Sequence, residues 1–229
     1  MELRRFIFEV RYKPKFAWFD KRGVILELLV ETKMFDGLGQ SAEVQVMAEQ
    51  EQGEIWRNFQ LNPQKMAGAI EASDIRLKEI LEFIHVFRKI CDTINLARHE
   101  IIRVGVRFFF TKSIAFDTAN SFLLNSISSD IRNILGNEFV DSALIPVVKY
   151  GDHKCQYMLG LIKKEEYGKF FKRPAKIEYE EGCLFDIDYN SQKFQSLSFE
   201  AFVQEGYAKI EKTVVALEQE LERYAKQQG

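Results

Sequence analysis

"RFIFEVRY" at residues 5–12 and "IRVGVRFFF" at 102–110 are two versions of one pattern, and their reading decides the fold. Alternation places Phe6, Phe8, Val10 and Tyr12 on one side of the first stretch and Arg5, Ile7, Glu9 and Arg11 on the other. That two-residue period is the signature of a strand with one buried face. In the second stretch Val104, Val106, Phe108 and Phe110 form the apolar side, while Arg103, Arg107 and Phe109 point the other way. Each strand therefore sets an arginine, Arg11 or Arg107, among large apolar residues.

Working outward, Pro14 ends the first strand. The segment 16–34 predicts a helix, with Asp20 as its N-cap and apolar residues at 24, 25, 28 and 29, closed by Gly37 and Gly39. Residues 42–49 and 54–61 read as a hairpin joined across "QEQG", and 65–72 offers a third short strand after the Asn62-Pro63 turn. From Asp74 to about Ala97 the apolar stripe Ile80, Leu81, Ile84, Phe87, Ile90, Cys91, Ile94 predicts a long helix. The order then restarts. A strand at 100–110 leads to a helix over 117–135 stopped by Gly136, and a hairpin turns on "GD" at 151–152. A further strand follows within 176–189, and a final helix runs from Ser198 to about Ala225.

Both halves read strand, helix, antiparallel strands, long helix. The expected fold class is α+β, built from two tandem pseudo-symmetric repeats, 1–98 and 99–229, that share a mostly antiparallel sheet with helices on one face. Arg11 to Arg107 is an offset of 96 residues, whereas the starts of the two long helices, Asp74 and Ser198, are 124 apart. The excess falls near 163–176, which marks that stretch as an insertion on the surface.

The chain has 229 residues, and its hydrophobic fraction of 46% with 20 Phe can fill a real core. It lacks a run of 18 or more apolar residues, and "MELRRFIFEVRYKPK" carries charge where a signal peptide has an unbroken apolar region. A cytoplasmic protein with no membrane partner is expected. Three cysteines without short spacing to any of the three histidines suggest neither a zinc site nor a disulfide framework. A net charge of −2 from 32 basic and 34 acidic residues excludes the broad positive surface of a histone-like nucleic-acid binder.

Local features leave several readings open. If the apolar sets face the helices, Glu9, Arg11 and Arg107 share the open face with Asp186 and Asp188 of "FDIDY". These five either neutralise one another across strands or serve as a ligand site, the arginines clamping a carboxylate or phosphate through their planar guanidinium groups. A third reading makes Asp186 and Asp188, with Glu9, ligands of a divalent cation in a hydrolase. The stretch "KKEEYGKFFKRPAK" at 163–176 interleaves Lys169, Lys172 and Arg173 with Phe170 and Phe171, a composition suited to a nucleic-acid backbone and its bases. No catalytic residue and no cofactor is implied, since glycine-rich phosphate loops and nucleophile elbows are missing. The last helix repeats apolar residues every 3.5 positions through Val203, Tyr207, Ile210, Val214, Leu217, Leu221 and Tyr224. Its final turns, Val214, Leu217, Leu221 and Tyr224, are expected to overhang the sheet and meet a partner helix, either in a homodimer or on another protein.

"FEVRY" near the start, "DKRG" opening the first helix, "RVGVRF" after the long helix and "LFDIDY" before the last one together resemble a sporadically distributed prokaryotic family of uncharacterised proteins. The resemblance spans nearly the whole chain and implies a bacterial or archaeal cytoplasmic origin. The order of elements is also similar to the duplicated saddle of TATA-binding proteins, a likeness of topology without that saddle's inserted phenylalanines. These readings rank a non-enzymatic binding or adaptor protein first, a nucleic-acid-binding module second and a metal-dependent hydrolase third.

Overall fold

The computed structural model describes the chain except residues 36–39, 43–44, 131–133, 135–142, 174–179, 193, 195–197 and 229. In chain order the elements are β1 (Glu2–Tyr12), α1 (Arg22–Glu31), β2 (Gln40–Ala42), β3 (Gln45–Gln52), β4 (Ile55–Asn62), β5 (Lys65–Glu71) and α2 (Leu77–Thr93). They continue with β6 (Ile101–Ser113), α3 (Phe116–Asn125), β7 (Ala143–Leu144), β8 (Val147–Tyr150), β9 (His153–Lys163), α4 (Tyr167–Phe170), β10 (Glu181–Ser191) and α5 (Phe199–Gln228). The fold is α+β. One open sheet holds the strands in the order β2-β3-β4-β5-β1-β6-β10-β9-β7, with β8 also on β9. Every described pairing is antiparallel.

The two strands quoted at the outset lie side by side at the middle of this sheet, Phe6 opposite Phe108, Phe8 opposite Val106 and Val10 opposite Val104. Their apolar sides are buried as the alternation predicts. Over them sit the long helices: Phe8 meets Phe87 of α2 edge-on at 4.9 Å and Phe199 of α5 at 5.4 Å. Removing side chains of this size from water is worth ~1.5–3 kcal/mol each, so this layer dominates stability.

Turn chemistry agrees with the sequence where a short polar residue or glycine supplies it. Gly53, at φ +58°, turns β3 into β4. The Asn62 side-chain oxygen accepts from the backbone N–H groups of Gln64 (3.0 Å) and Lys65 (2.9 Å) to turn β4 into β5.

Helix ends differ from expectation. The first helix is not 16–34 but Arg22–Glu31, and Lys21, not Asp20, holds the N-cap position without a side-chain bond. The stretch before it makes a turn because Trp18 is buried and stacks on Phe19 at 4.1 Å. The chain leaves that helix at Lys33, φ +56°; Gly37 and Gly39 lie outside the described residues. The second helix stops at Thr93, four residues early, in a Schellman arrangement: Leu96 N–H donates to Cys91 O (2.9 Å) and Asn95 N–H to Asp92 O (3.1 Å), with Asn95 at φ +51°. The third helix is not 117–135 but Phe116–Asn125, capped at Ser126, and the chain turns there as Ser126 N–H donates to Leu123 O (3.1 Å) and Ile127 N–H to Leu124 O (3.0 Å); residues 131–133, 135 and Gly136 lie outside the described residues.

The last helix requires a correction. Val214 and Leu221 are buried, Leu217 packs on the core, and Tyr224 rests on Phe122 of α3 (5.7 Å) while its hydroxyl meets the Asn125 side chain. Lys112 of β6 also bonds Glu218 and Glu222, both at 2.6 Å. The 3.5-residue repeat finds its partners within the chain, in α3 and the sheet. It leaves these four residues no free seam for a partner helix.

Candidate functional site

The face of the sheet away from the long helices carries alternate residues of every central strand, and two distinct regions form on it. At one end the connection between β9 and β10 folds back as a strap. A single turn at Lys164–Glu166 leads into α4, and the chain then crosses toward β5. Tyr167 and Phe171 are buried against Phe109, Ile162 and Leu184, making a second, smaller core on this face. Phe109 points away from the long helices as its phase requires, yet it is buried because the strap covers it.

The strap beyond α4 is held by Glu71, a residue only 4% exposed, whose carboxylate accepts from the backbone N–H groups of Lys172 (2.8 Å) and Arg173 (2.5 Å). Arg5 completes the latch. Its guanidinium lies 4.0 Å from Glu71, donates to Phe170 O, and sits 5.9 Å from each of the Trp56 and Phe109 rings. Burial pulls the Arg5 guanidinium below its ordinary value and the nearby Glu71 opposes that pull. Neither residue stood out in the sequence. A glutamate at a strand end and an arginine beginning a strand are common, and only the tertiary path of residues 170–173 gives them a role.

These contacts correct the nucleic-acid reading of the same stretch. Phe171, at 3% exposure, is a core residue of the strap, and Phe170 is half-buried beside it. Lys169 pairs with Glu166 at 3.0 Å, Lys172 with Glu49 at 3.6 Å, and Arg173 with Glu51 at 2.6 Å and with Gly53 O at 3.3 Å. The cations are matched by carboxylates, and the buried Phe171 ring meets Phe109 of the sheet edge-on at 6.2 Å. Residues 174–176 of the expected insertion lie outside the described residues.

Beside the strap the face remains open and carries a ladder of charges. Arg107 bonds Asp186 through two parallel contacts, Nε to Oδ1 at 2.5 Å and Nη2 to Oδ2, and lies 4.9 Å from the Phe109 ring. The hydrogen bonds it donates to Asp186 hold the Arg107 guanidinium above its ordinary value against the opposing effect of burial. One step along, Arg103 bridges two strands, reaching Glu9 at 2.8 Å and Asp188 at 3.1 Å. Glu9 also takes Arg11 at 2.7 Å, and Asn190 bonds Asp188 at 3.0 Å. The order across the sheet is Arg11, Glu9, Arg103, Asp188.

Arg11 and Arg107 do share this face, but they do not form one clamp. In register Arg11 stands opposite Arg103, and Arg107 opposite Ile7. Four residues of β1 separate the two positions, about 13 Å at ordinary strand rise. The bridging cation is Arg103, and the signal for it is Gly105. A Cβ at Gly105 would come within 3.2 Å of the Arg103 guanidinium, so the bare strand lets that group lie flat between its two carboxylates. The divalent-cation arrangement is not formed either: guanidinium groups occupy the oxygens of Asp186 and Asp188. Among the described residues no group of three or more His, Cys, Asp or Glu is placed to hold a metal ion.

Gly105→Val tests this geometry. The Arg103 side chain can move, so the fold should lose only about 1 kcal/mol or less, while the bridge is broken. In a double-mutant cycle read by urea unfolding, Arg103→Ala should cost ~0.5–1 kcal/mol in the natural chain and nearly nothing in the Gly105→Val background. Additive costs would show that Gly105 does not position Arg103.

No protein-family model matches the chain, and no curated protein matches it in sequence. Among the described residues no helix is long and apolar enough to cross a membrane.

Proposed function

We propose that this chain is a non-enzymatic binding or adaptor protein of a prokaryotic cytoplasmic system, and that it engages a protein partner through the open sheet face beside the strap. The observation that carries the reading is the ladder Arg11, Glu9, Arg103, Asp188, with Arg107 and Asp186 alongside: charges of both signs held in fixed positions on a face floored by small or apolar residues, Ala67, Ala69, Ile7 and Gly105. A surface of alternating sign selects partners by complementary charge and register. A phosphate backbone would be attracted by the arginines and repelled by the carboxylates between them.

The same reading takes residues 1–98 and 99–229 as two equivalent units. The offset of 96 residues carries Arg11 onto Arg107 and Glu9 onto Gly105, and Glu9 and Gly105 are opposite each other in β1 and β6. A pseudo-twofold axis through that pair would relate the halves, placing the ladder where the two units meet.

The test is native purification of the full chain alongside Arg11→Glu, with Lys78→Glu on the outer side of α2 as a control. Arg11 is 56% exposed, so reversing it should leave folding intact. A protein recovered with the natural chain and the control, and lost with Arg11→Glu, is the expected result. Recovery indifferent to Arg11→Glu, or recovery of nucleic acid released by salt, would overturn the reading.

A further inference from the structure

The charges on the open face are layered in depth. The Asp186 side chain is 4% exposed and the Arg107 side chain that binds it 48%, while Glu9 is 19% exposed and its partner Arg11 56%. Asp188 lies nearer the surface, but both of its oxygens accept from Arg103 and one also from Asn190. The carboxylates are spent on contacts within the sheet. The cations are not: among the described residues Arg11 bonds through Nε alone, leaving both terminal nitrogens unengaged, and Arg107 keeps Nη1.

Further cations stand beside them. Lys65 of β5 lies 3.9 Å from Glu9, too far for a hydrogen bond. Lys154 of β9 is opposite Asn190, and Lys149 of β8 is opposite Lys154, which puts both lysines on this face. Among the described residues neither has a carboxylate partner. From β5 across to β8, beside the strap, the three described carboxylates therefore share the face with six cations, the three arginines of the ladder and these three lysines. The outer layer is positive although the whole chain carries a net −2.

We infer that this face takes an acidic peptide segment of its protein partner, laid across the strands from Arg11 to Lys149. The inference rests on the open-face reading and names the chemistry of that partner. Charge complementarity selects the occupant: the two terminal nitrogens of Arg11 offer a carboxylate parallel donors, and the lysines extend the same sign across the sheet. Arg11 on β1 and Lys149 on β8 are four strand spacings apart, about 19 Å. In an extended chain the carboxylates of alternate residues point one way about 7 Å apart, so a short segment spans the shelf. Nucleic acid fits less well, because the sheet's aromatic rings on this face, Trp56 and Phe109, are buried and leave a base nothing to stack on.

Fluorescence anisotropy of a labelled ~10-residue peptide of alternating glutamate and threonine, titrated at low salt with the full chain up to ~0.5 mM, tests it. A glutamine-threonine peptide and an oligothymidylate of similar length carry the same label. The expected result is binding of the acidic peptide alone, weakened by added salt, weakened ~5-fold or more in Arg11→Ala/Lys154→Ala, and unchanged in Lys78→Ala on α2. If the first variant melts at a lower temperature, Lys149→Ala/Lys154→Ala, which removes no ion pair, decides in its place. An acidic peptide that fails to bind, or binds the variants as tightly, overturns the inference, and tighter binding of the oligothymidylate through the same residues does so in favour of nucleic acid. A native partner still lost with Arg11→Glu while the peptide fails would remove the acidic chemistry and leave the face standing; failure of both removes the face.

Discussion

Gly68→Val should lower the stability of the fold by about 3 kcal/mol, the upper part of the usual range for forcing extra atoms into a filled core. Gly68 sits in β5 between Phe8 of β1 and Phe59 of β4, its cross-strand neighbours, and the absent side chain leaves a slot between two rings. Phe87 of α2 fills that slot, meeting Phe8 at 4.9 Å and Phe59 at 5.3 Å. A Cβ at Gly68 would stand 2.6 Å from Asn58 O, 2.7 Å from the Phe83 ring and 2.9 Å from the Phe87 ring. None of the three can retreat cheaply. Asn58 belongs to the paired β4 strand and its side chain also takes Ala69 N–H at 2.7 Å, while both rings are fully buried. The helix must therefore lift from the sheet, and every contact it makes weakens together. Gly68→Ala should cost about half as much, because the same approach is violated by one carbon only. Urea unfolding followed by circular dichroism measures both. A Gly68→Val midpoint equal to that of the natural chain would show that α2 does not owe its position to this slot.

The contrast between Gly68 and the strap shows what was legible in the sequence. Period-two alternation carries the direction of a side chain relative to its own backbone, and so the inward sets of β1 and β6 and the outward placement of Arg11, Arg103 and Arg107 follow from it directly. Hairpins were legible where Gly53 and Asn62 carry the turn. Helix ends were not, because Lys33 and Asn95 adopt the left-handed conformation in place of glycine, and neither is marked by composition. The strap was misread for a deeper reason. Tyr167, Phe170 and Phe171 among lysines look alike whether their rings meet bases or a sheet, and the deciding partners, Phe109 and Glu71, lie 62 and 100 residues from Phe171 along the chain. The terminal helix repeats this lesson: a 3.5-residue stripe states that a seam exists, and the identity of its partner is a tertiary fact. Gly105 was the one available clue to the charge bridge, since a glycine inside an otherwise regular strand calls for something lying close above it.

Glu71→Ala should release the strap beyond α4 and lower stability by roughly 2–3 kcal/mol. Three groups are affected at once: the backbone N–H groups of Lys172 and Arg173 lose their acceptor, and the Arg5 guanidinium, which keeps Phe170 O, loses its counter-charge. Arg5 is the costly one, for burial already works against its charge and it cannot discard its proton. A latch of this kind in a rigid core would cost more, about 3–5 kcal/mol. The strap, however, can swing outward and let water reach all three groups, so the loss is capped by the free energy of that local opening. Tyr167 should stay docked, because Ile162 and Leu184 hold it independently of Glu71. Opening is therefore confined to the stretch beyond α4. Hydrogen exchange separates this from general destabilisation: the Lys172 and Arg173 amides should lose protection in Glu71→Ala, while the amides of β1 and β6 fall only as global stability does. Glu71→Gln retains an acceptor oxygen without the charge and should lie between the two. Lys172 and Arg173 amides that remain as protected as in the natural chain would mean that Phe171 alone anchors the strap, and the latch would have to be abandoned.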